Sequence, residues 1–161
     1  MVASVLHLRG DSTVSQPLVS QDEQSALCFN GEIFQGDIVD VVDRKNDTAA
    51  LFESLNECAS ADDVHHLFQR RIYGPYAFAY WNNRMRTLFF GRDPVGRRSL
   101  VVHWPDSVDQ RLLVSSTADG SARMQDHDTD FWHEVEAGLV YEYRFGNYDA
   151  SEWAIERVVY K

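Results

Sequence analysis

The chain has 161 residues, of which 44% are hydrophobic and 12% aromatic, and its formal net charge at pH 7 is −10. These values predict a single domain with a buried core and exclude a chain that is disordered throughout. The excess of acidic residues disfavours nucleic acid and an anionic membrane as partners, because phosphate binding draws on Lys and Arg.

The cysteines and the apolar runs narrow the class of protein further. Cys28 and Cys58 are too far apart for a Cys-x-x-Cys metal pattern, and these two cysteines make no disulfide framework. No apolar run approaches the length of a membrane span, and the N-terminus lacks the profile of a signal peptide. No Gly-rich loop of the kind that cradles phosphate precedes a helix. We therefore expect a cytoplasmic protein with no cofactor and no bound metal.

The first predicted strand covers residues 2–9, and a polar loop follows it. A second strand begins near Cys28 and meets the polar trio Asn30, Gly31 and Glu32. The Asn side chain offers a donor and an acceptor, Gly lets a ligand approach the backbone, and Glu adds a negative charge. The trio is thus suited to hold a polar, zwitterionic small molecule at a sheet edge. The alternative is a simple turn, for which Asn-Gly is a strong local signal.

Two amphipathic helices are predicted next, over residues 48–58 and 61–71. The first has Asn46 or Asp47 as its N-cap, and the second has Ser60, because these side chains accept hydrogen bonds from the first turn. His65 and His66 are adjacent in the second helix and point about 100° apart. We predict that both are solvent-exposed residues and not joint metal ligands.

From Tyr73 onward the pattern changes to alternation with a period of two. Asn82 and Asn83 predict a tight hairpin, since Asn tolerates a positive φ. Residues 116–130 are polar and predict a surface excursion. Strands are predicted over residues 76–81, 85–90, 99–104, 111–115, 138–145 and 153–160. Two helices grouped against mainly antiparallel strands predict an α+β fold.

Seven short motifs then occur in an order that resembles one family. They are Gln16-Pro17-Leu18, residues 29–34 (FNGEIF), Asn46-Asp47, residues 74–81 (GPYAFAYW), residues 91–100 (GRDPVGRRSL), Ser115-Ser116 and Glu136-Ala137-Gly138. Together they resemble the glutaminase domain of class II glutamine amidotransferases. The similarity is strongest to asparagine synthetases and asparagine synthetase domain-containing proteins, and it covers residues 2–145.

The resemblance implies a fold and a set of roles. The fold is the αββα sandwich of an N-terminal-nucleophile hydrolase, and the ligand is glutamine. Asn30 and Gly31 would form the oxyanion hole, through a side-chain amide and a backbone N–H. Glu32 and Asp47 would bind the α-amino end of glutamine. Arg92 and Asp93 would stabilise the turn that contains them.

The chain also departs from the family's pattern. The family's nucleophile is an N-terminal cysteine, whereas this chain begins Met1-Val2 and its match begins late, so we expect an N-terminally incomplete domain. Leu6 falls where the synthetases have a carboxylate-binding arginine, and Arg9 has the opposite strand parity. Cys28 shares the parity of Asn30, but as a replacement nucleophile it would need His7 or His103 as its base. A free Cys is more often a small buried hydrophobic residue.

Two main hypotheses follow for a single domain over residues 1–161, in which 146–161 can begin a linker. The first is an amidotransferase domain of the asparagine-synthetase class that has no glutaminase activity by itself. The second is a non-catalytic binding module that pairs with a synthetase-type domain or with a second copy. A third is an N-terminal-nucleophile peptidase relative, which would require processing to expose Ser4 or Thr13.

Overall fold

The computed structural model describes residue 1 and residues 14–36, 46–70, 72–107, 109–118, 131–145 and 155–156. The strands are β1 (Leu18–Val19), β2 (Ser25–Gly31), β3 (Tyr76–Asn82), β4 (Thr87–Arg92), β5 (Val101–His103), β6 (Leu113–Ser115), β7 (His133–Glu134), β8 (Val140–Arg144) and β9 (Ile155–Glu156). The helices are α1 (Asp47–Glu57) and α2 (Ala61–Arg70). The predictions for residues 2–9 fall outside the described residues, as do most of those for 116–130 and 153–160.

Within the described residues the strands form two antiparallel sheets. The larger has six strands in the order β1-β2-β3-β4-β8-β9, and the smaller has three in the order β6-β5-β7. Both helices lie in the chain between β2 and β3, which are nevertheless neighbours in the larger sheet. The predicted α+β fold with two antiparallel sheets is confirmed.

The alternation of large and small residues in β3 builds two cores, one on each face of the larger sheet. Tyr76, Phe78 and Tyr80 pack with α1 and α2, and Phe68 of α2 stacks on Phe78 with 3.8 Å between ring centroids. Ala77 points to the opposite face and packs in the second core, which also includes Val102 of β5. Because side chains alternate along a strand, β3 supplies large side chains to the core that contacts the helices and a small one to the core on the opposite face of the sheet.

The helix starts agree with the cap predictions. Asn46 is the N-cap of α1, and its side chain accepts a hydrogen bond from the N–H of Ala49 at 3.1 Å. At the start of α2, the Ser60 hydroxyl accepts from the Asp63 N–H, and the Asp63 carboxylate accepts in return from the Ser60 N–H. This reciprocal arrangement satisfies N–H groups that a helix leaves without an internal partner.

The prediction that both α2 histidines are exposed is wrong for His65. Its side chain is 1% exposed, and Nε2 lies 3.3 Å from a carboxylate oxygen of Glu142 in β8. The ring also packs edge-on against Phe89. His66 is exposed, as predicted. The physical reason is that α2 packs against the larger sheet, so that of the two adjacent histidines His65 points toward the sheet and His66 toward solvent. There His65 meets the carboxylate of Glu142, which comes from β8, far away in the sequence.

The β3–β4 hairpin also differs from its prediction. Asn82 belongs to β3, pairs with Thr87 and is 1% exposed, so the turn comprises the four residues 83–86. Neither Asn has a positive φ, and the left-handed residue is Arg86 at 52°. Asn82 instead uses its side chain to hold the turn, because Oδ1 accepts from the Met85 N–H and Nδ2 donates to the Tyr80 hydroxyl.

Neither helix in the described part of the chain has the length and hydropathy that crossing a membrane requires.

Candidate functional site

The polar trio lies at the end of β2, directly beside β3. Asn30 pairs with Ala77 and Gly31 pairs with Tyr76. A turn at Asn30-Gly31 is therefore wrong, since both residues are in a paired strand. The chain leaves the strand only after Gly31, and the Glu32 N–H still donates to the Pro75 carbonyl at 2.9 Å.

The backbone of Gly31 faces the outer edge of β2. The N–H and C=O groups of Phe29 bond to the Gln16 side chain, on the side away from β3, and the Glu32 N–H points toward β3 at Pro75. Backbone groups alternate in direction along a strand, so the Gly31 N–H points the same way as that of Phe29. This N–H is the backbone donor that an oxyanion hole at this position requires.

Gly31 also has no room for a side chain. A Cβ atom added there would lie 2.3 Å from the Pro75 carbonyl oxygen and 2.7 Å from the Tyr76 Cα. Both contacts are to backbone atoms, so a substitution must move the start of β3. The close approach of the two strands thus depends on glycine at this position.

The Asn30 side chain is the second candidate donor. It is exposed and, by strand parity, lies on the same face of the sheet as Cys28. No hydrogen bond to this side chain occurs among the residues that the structure describes. Within the described residues its amide is therefore available to a ligand at the end of β2.

Asp47 is joined to the trio through the backbone. It is the first residue of α1 and is 4% exposed, and its Oδ2 accepts from the Ile33 N–H at 2.9 Å. Its carboxylate therefore lies beside the segment that carries Glu32, which is half-buried. The structure brings together all four predicted site residues: Asn30, Gly31, Glu32 and Asp47.

Asp93 secures the other side of the site. It is 0% exposed, and its carboxylate accepts from the backbone N–H groups of Tyr76, Val95 and Arg97 and from the Arg97 Nε. Burial by itself would raise the pKa of this carboxyl, but these donors more than offset that effect and hold the pKa below its ordinary value. Asp93 thereby fixes Tyr76, the residue that pairs with Gly31.

The structure gives Cys28 no sign of an activated thiol. Burial raises its pKa, so the thiol is protonated at neutral pH, whereas a nucleophilic cysteine requires the thiolate. His103, a candidate base, lies in β5 of the other sheet, where its Nδ1 is 3.1 Å from the Phe131 carbonyl oxygen and its ring stacks on Phe131. His7 lies outside the described residues.

Metal binding finds no support in the part of the chain that is described, where no group of three or more His, Cys, Asp or Glu side chains is arranged to hold an ion.

Gln16 is the residue whose part in this site the sequence analysis missed. It is the first residue of a family motif, and its side chain bonds to both backbone groups of Phe29. No local signal in the sequence indicates this contact, because it depends on the register of β1 with β2.

Comparison with known proteins identifies a family. A family model described as "Glutamine amidotransferase domain" matches residues 4–120. The chain is 36% identical over 137 residues to asparagine synthetase domain-containing protein 1 of Bos taurus, covering 85% of this chain and 20% of that protein. It is also 36% identical to the Homo sapiens protein of the same name, covering 84% of this chain and 19% of that protein. The chain therefore spans about a fifth of the length of these curated relatives.

A solved structure shares the fold. It is a glutamine phosphoribosylpyrophosphate amidotransferase from B. subtilis complexed with ADP and GMP, with a TM-score of 0.53 and 21% sequence identity. The match covers 81% of this chain and 30% of that chain. At this identity the likeness concerns the fold alone, and it agrees with the amidotransferase fold that the sequence motifs implied. The family match extends over most of the residues that build the site, and the chain belongs to the glutamine amidotransferase domain family.

Proposed function

We propose that this chain is a glutamine-binding amidotransferase domain of the asparagine-synthetase class, in which Asn30 and Gly31 form the oxyanion hole. The observation that carries the proposal is the end of β2, where an exposed Asn amide is followed by a glycine N–H on the strand edge that faces away from β3. Two donors at consecutive positions suit one carbonyl oxygen, the side-chain oxygen of glutamine.

The α-amino group of glutamine would be bound by Glu32 and Asp47. An ammonium group favours carboxylates, and the Ile33 N–H joins the two through its hydrogen bond to Asp47. Asp47 is almost fully buried, so its part is to add negative charge near the ligand and to hold the segment that presents Glu32.

We further propose that the 161-residue chain does not hydrolyse glutamine by itself. Glutamine hydrolysis and asparagine biosynthesis belong to the family, and the hydrolysis needs a nucleophile beside the oxyanion hole. Of the chain's cysteines, Cys28 has a raised pKa, and Cys58 donates its thiol hydrogen to the Ser54 carbonyl at the end of α1. Both cysteines are free, which is in keeping with a cytoplasmic location.

Two measurements test this function. Calorimetry with glutamine should show binding by the wild-type chain, and Asn30→Ala should weaken it by about threefold to tenfold, the size of one hydrogen bond. Asn83→Ala is the matched control, because Asn83 is an exposed Asn in the β3–β4 turn. Absence of glutamine binding by the wild-type chain would contradict the proposal.

Ammonia release tests the predicted lack of hydrolysis. We expect no release from glutamine by the chain as given, and a form with an upstream Met-Cys-Gly extension tests whether an N-terminal cysteine supplies the missing group. Turnover by the chain as given, lost in Cys28→Ser, would instead identify Cys28 as the nucleophile.

A second candidate function is an association module for a synthetase-type domain or a second copy. Phe34 and Tyr73 are 48% and 56% exposed, and they are neighbours because the Phe34 N–H donates to the Tyr73 carbonyl at 2.8 Å. Exposed aromatic residues that lie together are common in protein interfaces. Light scattering tests this function, and a monomer at all concentrations would argue against self-association.

A further inference from the structure

The carboxamide of Gln16 is hydrogen-bonded to the backbone of Phe29 on both sides of the residue. Its Nε2 donates to the Phe29 carbonyl oxygen at 2.9 Å, and its Oε1 accepts from the Phe29 N–H at 2.6 Å. A carboxamide carries the same donor and acceptor as a peptide group. Gln16 therefore makes with its side chain the two bonds that a neighbouring strand would make with its backbone.

The register of β1 explains why Gln16 is the residue that fills this place. Leu18 pairs with Leu27 and Val19 pairs with Ala26, so an extension of the strand would bring Gln16 opposite Phe29. Pro17 falls opposite Cys28, whose backbone groups face β3, so its missing N–H removes no bond between β1 and β2. The strand stops at Leu18, and the Gln16 side chain reaches the backbone groups that an uninterrupted strand would have paired.

The bonds from Gln16 fix the edge from which the Gly31 N–H projects. Phe29 and Gly31 face the same edge of β2, and Asn30 lies between them. After Gly31, the Glu32 N–H donates to the Pro75 carbonyl and the Ile33 N–H donates to the Asp47 carboxylate. Asn30 and Gly31 are thus held between anchors on both sides, and Gln16 supplies the anchor that precedes them.

We propose that Gln16 is a positioning residue of the oxyanion hole, which sets the direction of the Gly31 N–H and the Asn30 side chain through Phe29. This proposal rests on the proposed function, because Gln16 can position an oxyanion hole only if Asn30 and Gly31 form one. It predicts that loss of the two bonds weakens contact with the carboxamide end of glutamine and leaves the amino-acid end unaffected.

The first test concerns the ligand-free chain. Gln16→Met keeps the length of the side chain and removes both bonds, and Gln21→Ala, at an exposed position in the loop before β2, is the matched control. In Gln16→Met we expect amide exchange at Phe29 to rise at least about tenfold and the Gly31 amide resonance to move. If exchange at Phe29 rises while the Gly31 resonance stays at its wild-type position, Gln16 closes the strand edge only and the proposal is overturned.

Gln16→Glu gives an internal rescue. An ionised carboxylate accepts the Phe29 N–H but repels the Phe29 carbonyl oxygen, whereas a protonated one both donates and accepts as the amide does. We expect the Gly31 resonance of this variant to return toward its wild-type position as the pH falls through the pKa of the new carboxyl. The wild-type chain, titrated in parallel, corrects for other acidic groups. No return on protonation counts against the proposal.

The ligand test compares glutamine with norvaline, which has the same amino-acid end and lacks the carboxamide. We expect Gln16→Met to lose at least about threefold in affinity for glutamine relative to norvaline, the size of one net hydrogen bond. An equal loss for both ligands would overturn the positioning role. If the wild-type chain binds no glutamine, the proposed function fails, and the Gly31 resonance in the ligand-free variants then decides the role of Gln16.

Discussion

Two buried aspartates flank the candidate site, and they differ in how completely their carboxylates are used. Asp93 is 0% exposed and accepts from three backbone N–H groups and one guanidinium N–H. Asp47 is 4% exposed and, among the described residues, accepts at 2.9 Å from the distant Ile33 N–H and also from the N–H of its neighbour Thr48.

The difference separates a structural carboxylate from one that is suited to a ligand. The Asp93 carboxylate is surrounded by donors from its own turn and from β3, so that its charge is balanced within the fold. Within the described residues Asp47 holds one distant backbone group, the Ile33 N–H, and it lies beside the segment that carries Glu32. A residue of the same type and nearly the same burial can thus serve the fold in one place and, as we propose, the ligand in another.

The largest expected effect is the loss of stability in Asp93→Ala. Removal of the carboxylate leaves the buried N–H of Tyr76 and the partly buried N–H groups of Val95 and Arg97 without their acceptor, at a combined cost of about 3 kcal/mol. Urea denaturation measures this change in the free energy of unfolding. A loss below about 1 kcal/mol would mean that the turn does not depend on Asp93.

Acid should weaken the fold through the same residue. The folded-state pKa of Asp93 is lowered, so its contribution is complete above the unfolded pKa of about 4 and is lost as the pH falls through the lower folded value. In that window the unfolded state binds more protons, and the free energy of unfolding falls with falling pH. Asp93→Asn should have a shallower acid slope than the wild-type chain in denaturation series at several pH values, and equal slopes would contradict this assignment.

Asp47→Asn should have a smaller effect on stability and a larger one on binding. The amide oxygen can still accept from Ile33, so we expect a loss of about 1 kcal/mol in the free energy of unfolding. The lost charge should weaken glutamine binding in calorimetry by at least about threefold, as for one charge interaction at a partly buried site. Unchanged glutamine affinity would place Asp47 with Asp93 as a structural residue.

The smallest effect on stability is expected for Asn30→Ala. The side chain is exposed and has no hydrogen bond among the described residues, so the free energy of unfolding should change by no more than about 0.5 kcal/mol. Thermal denaturation of this variant checks that any loss of glutamine affinity is not caused by unfolding. A marked fall in its melting temperature would show that Asn30 supports the strand as well.

Features that depend on neighbouring residues could be predicted from the sequence. The N-caps at Asn46 and Ser60 follow from side chains that bond to their own first turn, and the structure has both. The strand pattern of residues 76–81 likewise gave the two faces of β3. The family motifs predict that Asn30, Gly31, Glu32 and Asp47 share one site. The structure places the Asp47 carboxylate against the N–H of Ile33, the residue after Glu32, and the role of the four in binding stays a prediction.

Features that depend on distant residues could not be predicted in the same way. His65 is buried because α2 packs over β8, whose Glu142 supplies a partner that no local pattern indicates. Gln16 acts through the register of β1 with β2, which becomes visible only when the strands are paired. Asn82 stabilises the hairpin through its side chain, which accepts from the Met85 N–H, and its own φ is not positive.

The place of the helices in the chain has a consequence for folding kinetics. Asn30 pairs with Ala77, and both helices lie between these residues in sequence. Closing the long loop between β2 and β3 costs conformational entropy before the hydrogen bonds of the pairing can form. We therefore expect the two strands to pair in or after the rate-limiting step of folding. The proposed glutamine site then cannot exist in a partly folded chain, and the fraction of chains that binds glutamine would equal the fraction that has completed folding.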